Sequence, residues 1–193
     1  MPSLFDISKK YKQQADNLLK ETGIIDDLKK YGNVKFIGAY AADLMMHGDI
    51  DISVVRSKPF SIEEVFDIFR SLYFKGTFRS YFIGGDWDDP RKGNEFPHGY
   101  YVGMKQRIGN EKWKIDVWFI GEEDFNNREK EFNISNIPLT DEQKETILNF
   151  KQYRNQNKLS ISSQKIYEAV LKYNCRTTNE FSEFLNEKVN ESS

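Results

Sequence analysis

The sequence has very little cysteine and no long apolar run. Its 193 residues include one cysteine, Cys175, which excludes an intramolecular disulfide framework. No apolar stretch approaches the ~18 residues that a membrane-spanning helix needs. The first residues also lack the basic and then apolar order of a signal peptide. We therefore expect a cytoplasmic protein with no membrane partner.

An excess of charge of one sign is absent as well. The 28 Lys and Arg residues nearly balance the 30 Asp and Glu residues, for a net charge of -2. Template-directed polymerases need a long positive track along the nucleic-acid backbone, so this balance disfavours a nucleic-acid partner. Aromatic residues make up 15% of the chain, which is enough to build a substantial core. The length suits one globular domain with an appendage.

Hydrophobic periodicity divides the chain into a mixed part and a helical part. Helical and alternating patterns are mixed up to Gly121, and only helical patterns follow. We expect a domain of residues 1–125 and a C-terminal helical segment of residues 126–193. Helices are predicted within 3–30 and over 39–46, 61–73, 140–157, 161–173 and 178–188, and strands over 34–37, 49–55, 77–83, 99–108 and 112–120.

Short-range signals support several of these boundaries. Gly109 and Asn110 predict a hairpin turn between the last two strands. Three capping-box patterns predict helix starts, at Ser61 with Glu64, Thr140 with Gln143, and Thr177 with Glu180.

Alternation over the strand of residues 49–55 places two carboxylates on one face. Asp49 and Asp51 share that face, and Ile50 and Ile52 take the opposite one. Two carboxylates held about 6.5–7 Å apart at the backbone repel each other unless a cation lies between them. Hard divalent cations such as Mg²⁺ take such oxygen ligands. The alternative is a solvated acidic strand face, and the strand alone does not decide between the two.

A glycine turn precedes this strand. Gly38 ends a predicted strand and Ala39 begins a predicted helix, so free backbone N–H groups at the helix start suit a phosphate. The alternative is that Gly38 serves backbone geometry only. The order of phosphate-type turn, helix and Asp-x-Asp strand is more informative than the turn alone.

A third carboxylate, Asp116, lies in the last predicted strand. Alternation sends Ile115 and Val117 to one face, and Lys114 and Asp116 to the other. A carboxylate between apolar neighbours in a central strand is costly unless it is paired or bound to a metal. The alternative to a metal is a salt bridge with Lys114 or with a residue of the adjacent strand.

Together these residues resemble the signature of the nucleotidyltransferase superfamily with the DNA polymerase beta-like fold. That signature is a strand ending in Gly-Ser or Gly-Gly, a helix, Asp-x-Asp on the next strand, and a third Asp on a later one. Four residues of this chain occupy those places, Gly38, Asp49, Asp51 and Asp116. The resemblance covers residues 30–120, with a spacing similar to that of small stand-alone members such as the aminoglycoside and lincosamide nucleotidyltransferases. It implies an α/β fold (α+β in stricter terms) with a mixed, largely antiparallel sheet flanked by helices.

The resemblance also implies a reaction and its residues. A nucleoside monophosphate would move from a nucleoside triphosphate, with ATP expected, to a hydroxyl of a small-molecule acceptor, and pyrophosphate would be released. The catalytic residues, which would also bind Mg²⁺, are Asp49, Asp51 and Asp116. The residues implied to hold the nucleotide are Gly38, Ala39 and Lys114.

Two positions depart from the family pattern. Ala39 stands where the family usually carries Ser or Gly, so one hydroxyl contact with the phosphates is absent. Asp43 stands where many members have a small residue, and it adds negative charge near the phosphate turn. Either change suits a specialised substrate or a weakened enzyme. The alternative function is a non-catalytic nucleotide-binding or protein-partner module of the same fold, as in antitoxin-like relatives.

Weaker patterns complete the candidates. The acidic loop at residues 86–89 is predicted to be solvated or to face a substrate, and His47 and His98 are predicted to be isolated loop histidines. Four residues share one strand face that either binds phosphates or an acidic acceptor, or is simply solvated: Tyr101, Gly103, Lys105 and Arg107.

Overall fold

The structure, a computed structural model, describes residues 2–84, 98–131 and 133–191. The chain forms two compact units, one of residues 10–136 and the other of residues 1–9 with 137–193. Among the described residues, no helix combines the length and the apolar character that crossing a membrane requires.

Five strands and five helices account for most of the chain before residue 133. The strands are β1 (Asn33–Ile37), β2 (Gly48–Arg56), β3 (Ser80–Gly84), β4 (Gly99–Ile108) and β5 (Glu111–Gly121). The helices are α1 (Leu4–Thr22), α2 (Ile24–Lys29), α3 (Gly38–Ala41), α4 (Ile62–Lys75) and α5 (Glu122–Glu131). A single 3-10 turn, Ile134–Asn136, follows α5.

The strands form one sheet in the order β1-β2-β5-β4-β3. β2 and β5 are parallel, and the other three neighbouring pairs are antiparallel. This arrangement confirms the predicted mixed, largely antiparallel sheet. The parallel pair places Asp51 directly opposite Asp116 at the centre of the sheet.

Apolar residues of β2 and β5 fix which face of the sheet is buried. Ile50, Ile52, Ile115 and Val117 are at most 1% exposed and pack in a core with residues of α1 and α4 such as Leu18. Full burial of one such side chain stabilises the fold by about 1.5–3 kcal/mol. A slip of one residue would expose the whole set, so the register is strongly specified. The intervening carboxylates therefore face away from this core.

The capping boxes and the hairpin turn predicted from the sequence are present in the structure. Ser61 Oγ accepts the N–H of Glu64 at 3.2 Å, and Glu64 Oε2 accepts the N–H of Ser61 at 2.9 Å, which confirms the capping box that begins α4. The other two capping boxes form as well, at Thr140 with Gln143 and at Thr177 with Glu180. Gly109, in the left-handed region at φ 59°, turns the chain between the paired strands β4 and β5, so the hairpin is also confirmed.

β3 begins at Ser80, three residues later than predicted, and two elements differ from the prediction by more than this. α3 ends at Ala41 instead of reaching residue 46, because Asp43 takes a left-handed conformation at φ 58° that a helix cannot continue. α5 was not predicted, since its sequence is almost wholly polar and carries no apolar period. Its first turn holds three acidic residues, Glu122, Glu123 and Asp124, which favour a helix N-terminus.

The unit that contains residues 137–193 is helical. It comprises α6 (Asp141–Gln156), α7 (Ser163–Leu171) and α8 (Thr178–Glu191). Phe150 of α6 stacks on Phe181 of α8 with ring centroids 4.4 Å apart, and Cys175 is buried with a free thiol. The predicted helices at 140–157, 161–173 and 178–188 are thereby confirmed within a few residues.

Candidate metal site

The structure brings the three predicted carboxylates together. Asp49 and Asp51 lie on β2 and Asp116 lies on β5, and one oxygen of each is within 4.8 Å of the others. Asp116 is buried, and the other two are half-buried. The register of the two neighbouring parallel strands brings the three side chains close together, because all three point from the same face of the sheet.

Two neighbouring side chains hold Asp116. Lys114 Nζ lies 2.6 Å from Asp116 Oδ2 and 3.5 Å from Asp49 Oδ1. The hydroxyl of Tyr101, on the adjacent strand β4, donates a hydrogen bond of 2.6 Å to Asp116 Oδ1. The salt bridge between Lys114 and Asp116, which was the alternative to a metal ion, therefore exists, and it lies inside the carboxylate cluster. Both oxygens of Asp116 are fixed in direction.

The electrostatics of the cluster are unequal. Burial, together with the charges of Asp49 and Asp116, raises the pKa of Asp51 to about 7. Burial also raises the pKa of Asp49, but His47 and Lys114 more than offset it, so that pKa lies below its ordinary value. Burial lowers the pKa of Lys114, but its carboxylate neighbours more than offset this effect, so that pKa lies above its ordinary value. Asp51 is thus the carboxylate whose negative charge is least compensated.

These residues fit a divalent cation. Asp49 Oδ1 is buried and accepts no hydrogen bond from the described residues, and the 3.5 Å to Lys114 Nζ is an ion-pair distance rather than a hydrogen bond. A buried acceptor without a donor costs about 1–3 kcal/mol, and a cation would remove that cost. The donor set consists of carboxylate oxygens alone, which suits Mg²⁺.

The predicted glycine turn adjoins this cluster. Gly38 is at φ 67°, and a Cβ added there would lie 2.8 Å from Asp51 Oδ2. Gly38 is therefore required both by its backbone conformation and by the close approach of Asp51. Ala39 is in the first turn of α3, where N–H groups have no acceptor within the helix.

The charge of Asp43 is compensated locally. Lys12 Nζ lies 3.6 Å from Asp43 Oδ1 and donates a hydrogen bond of 2.8 Å to the carbonyl of Tyr40. The same ammonium group lies 3.3 Å from the centroid of the Tyr40 ring. The negative charge that departs from the family pattern is thus paired with a cation.

Sequence reasoning missed two neighbours of the site. Tyr101 was grouped with a strand face predicted either to bind phosphates or an acidic acceptor or to be solvated, and its contact with Asp116 was not predicted. Gly103, directly opposite Asp116, has no side chain, and a Cβ there would overlap the Tyr101 hydroxyl. A glycine opposite a candidate ligand was the available signal. His47 was predicted to be isolated, but its Nε2 lies 3.7 Å from Asp49 Oδ2. His98 lies in the bend before β4, and the acidic loop of residues 86–89 lies outside the described residues.

Comparison with known proteins supports the fold. No protein-family model and no curated protein matches the chain. Among solved structures, a cytoplasmic RNA terminal U-transferase is 14% identical with a TM-score of 0.52, over 86% of this chain and 48% of that one. The Cid1 poly(U) polymerase is 13% identical with a TM-score of 0.53 (88% and 54%), and the GLD-2/RNP-8 complex is 11% identical with a TM-score of 0.54 (87% and 60%).

This chain therefore spans about half the length of the first of these structures. The similarity extends over nearly all of the chain, at an identity that supports the architecture alone. The chain has the nucleotidyltransferase fold, which confirms the fold inferred from Gly38, Asp49, Asp51 and Asp116.

Proposed function

We propose that the protein is a Mg²⁺-dependent nucleotidyltransferase that transfers a nucleoside monophosphate, with ATP as the expected donor, to a hydroxyl group and releases pyrophosphate. One observation carries the proposal. Three carboxylates from two adjacent parallel strands converge within 4.8 Å. They lie next to a turn at Gly38, where a side chain would clash with Asp51.

The carboxylates would hold the metal. Asp49, Asp51 and Asp116 offer oxygen ligands from two interior strands of the sheet, and Asp49 Oδ1 is a buried oxygen with no donor among the described residues. When bound, Mg²⁺ in such sites neutralises phosphate charge and orients the attacking and leaving oxygens. Occupancy by a cation would also return Asp51 to its ionised form, because it supplies the positive charge that the described residues do not.

The remaining residues would act on the nucleotide and the acceptor. The N–H groups of the turn at Gly38 and Ala39 would donate to phosphate oxygens, and Lys114 would exchange its contact with Asp116 for one with a phosphate. Asp116 would accept the proton of the attacking hydroxyl. The new bond joins the acceptor oxygen to the α-phosphorus, and the bond from that phosphorus to the pyrophosphate oxygen breaks.

A small hydroxylated molecule is the acceptor class that we propose, since the net charge of -2 gives the chain no overall attraction to a polyanion. The solved structures of similar fold include a protein named as an RNA terminal U-transferase. An oligonucleotide therefore belongs in any panel of acceptors.

A specific contact favours a second candidate function. Lys114 Nζ already neutralises Asp116 at 2.6 Å, and Ala39 offers no hydroxyl to a phosphate. These two features suit a non-catalytic module that binds a nucleotide or a protein partner.

Pyrophosphate release separates the two functions. The wild type is incubated with each of the four nucleoside triphosphates, with Mg²⁺ or with EDTA, and with sugars, aminoglycosides or a short RNA. Release that requires both Mg²⁺ and one acceptor class supports transfer. Nucleotide binding without release in any combination would support the module.

A further inference from the structure

Three cations lie on the carboxylate face of the sheet, towards the β4–β5 hairpin. Lys105 and Arg107 belong to β4 and Lys112 belongs to β5, and all three are exposed. Alternation places them on the carboxylate face, since the neighbouring Met104 and Trp113 are buried in the core on the other face. We call Lys105, Arg107 and Lys112 the cationic strip.

The strip holds like charges opposite one another. Arg107 is directly opposite Lys112, and Lys105 is directly opposite Lys114. Like charges in such positions destabilise a sheet. Lys114 is neutralised by Asp116, but no carboxylate within residues 2–84, 98–131 and 133–191 forms an ion pair with the strip. An anionic ligand would supply the missing compensation.

The position of the cationic strip indicates which of the two substrates, the nucleotide or the acceptor, it would contact. Gly38 follows β1, the cationic strip lies on β4 and β5, and the carboxylates on β2 and β5 lie between them. Transfer at phosphorus proceeds in line, with the attacking oxygen opposite the leaving group. If the turn at Gly38 holds the departing pyrophosphate, the acceptor approaches from the β4 side.

We propose that the cationic strip binds phosphate groups of the acceptor. This inference rests on the proposed nucleotidyl transfer and adds that the acceptor carries phosphate as well as a hydroxyl group, a condition that an oligonucleotide meets as well as a small molecule. Such a compound is either a small phosphorylated sugar or a single-stranded oligonucleotide, and both present the same anionic group to Lys105, Arg107 and Lys112.

An exposed ring beside the strip distinguishes these two sources. Phe82 of β3 is 58% exposed, lies opposite Gly103, and has its ring 5.8 Å from that of Tyr101. A nucleobase would stack on this ring, since base stacking on aromatic side chains contributes about 1–3 kcal/mol. A phosphorylated sugar has no planar ring to place there.

The test measures binding in the absence of nucleotide and Mg²⁺, so that it does not depend on turnover. A fluorescent oligoadenylate is followed by anisotropy, and ribose 5-phosphate and ribose are followed by calorimetry. The variant is Lys105→Gln/Arg107→Gln/Lys112→Gln. The matched control removes three exposed cations elsewhere, as Lys10→Gln/Lys20→Gln/Lys165→Gln.

We expect the strip variant to bind at least one phosphate-bearing probe at least about tenfold more weakly than the wild type, and the control to match the wild type. For the oligonucleotide, the slope of log affinity against log salt should also fall by about 2, because three phosphate contacts are lost at about 0.7 each. If the strip variant and Phe82→Ala both lose oligoadenylate binding, the acceptor is a nucleic acid. If the strip variant loses ribose 5-phosphate binding and Phe82→Ala keeps it, the acceptor is a small phosphorylated molecule.

Equal binding of both phosphate probes by the wild type and the strip variant, or no binding by either, overturns the proposal. Pyrophosphate release is measured separately, with the KM for the phosphorylated acceptor expected to rise more than kcat falls. A wild type that releases no pyrophosphate contradicts the proposed transfer, and the binding result still decides whether the strip is a phosphate site.

Discussion

Asp51 is the side chain on which the metal would have the largest effect. Burial, together with the charges of Asp49 and Asp116, raises the pKa of its carboxyl from about 3.9 in an unfolded chain to about 7 in the fold. Between these values the folded state keeps a proton that the unfolded state has lost, so the free energy of unfolding falls as the pH rises. Without metal, Asp51 thus lowers stability at pH 8 by at most about 4 kcal/mol.

Asp51→Asn should therefore raise the melting temperature in EDTA, and the increase should be larger at pH 8 than at pH 4.5. The same variant should lose Mg²⁺-dependent nucleotide binding, because one ligand is removed. Thermal unfolding by circular dichroism at both pH values measures the first effect, and calorimetry measures the second. Asp67→Asn, at an exposed position of α4, is the control. Unchanged Mg²⁺-nucleotide affinity in Asp51→Asn would rule out the ligand assignment.

Tyr101 is expected to act as a positioning residue. Its hydroxyl fixes Asp116 Oδ1 at 2.6 Å, and loss of such an orienting partner typically lowers metal affinity or activity by about 10- to 100-fold. Tyr101→Phe should weaken Mg²⁺ binding, measured by calorimetry with a nucleoside triphosphate present, by that order. Tyr81→Phe also removes a hydroxyl, one that accepts the N–H of Phe78, and should leave Mg²⁺ binding unchanged. Equal affinities in the two variants would mean that Tyr101 only packs.

Single residues were predicted from the sequence where the pattern determined their direction. Alternation placed Asp49 and Asp51 together, and Asp116 on the same face as Lys114. The hydrogen bond from Tyr101 depends on which residue of β4 pairs with Asp116, and a single sequence does not state that register. The same holds for His47, whose contact depends on a bend without periodicity.

The turn between β1 and α3 is the element of the site that tolerates no side chain at Gly38. Gly38→Ala would introduce a side chain both at a positive φ and within 2.8 Å of Asp51 Oδ2. Gly76→Ala, after α4, meets the same strain at φ 66° with nothing within 4 Å. Both variants should lose about 1 kcal/mol of stability from the backbone conformation, as measured by denaturant unfolding.

Only Gly38→Ala should also disturb Asp51. We expect its Mg²⁺-dependent nucleotide binding, measured by calorimetry, to fall by about tenfold or more, while that of Gly76→Ala equals the wild type. A parallel loss of binding in both variants would mean that overall stability, rather than the approach of Asp51, explains the effect.

The elements themselves were largely predictable. Strands β2 and β5 alternate between apolar and polar residues over 49–54 and 112–117, and capping boxes mark the starts of α4, α6 and α8. The parallel pairing of β2 with β5 was not derivable from periodicity, since alternation carries no information about neighbours. α5 has no apolar period, so no sequence signal separated it from a loop.

The net charge of the whole molecule conceals its distribution. A value of -2 argued against a nucleic-acid partner, yet Lys105, Arg107 and Lys112 share the carboxylate face without acidic partners among the described residues. Local charge depends on which residues share a face, and that depends on the sheet. Composition alone could therefore exclude a long positive track but not a short one.

Asp116→Asn tests the central claim most directly, because it preserves the shape of the site and removes one charge. A positioned base contributes about 10²- to 10⁴-fold, so Mg²⁺-dependent pyrophosphate release by the variant should fall by that order while nucleotide affinity falls less. Release and affinity are measured side by side on the wild type and the variant, with each acceptor class. Equal release by the two proteins, or no release by the wild type with any acceptor, would contradict the enzymatic function.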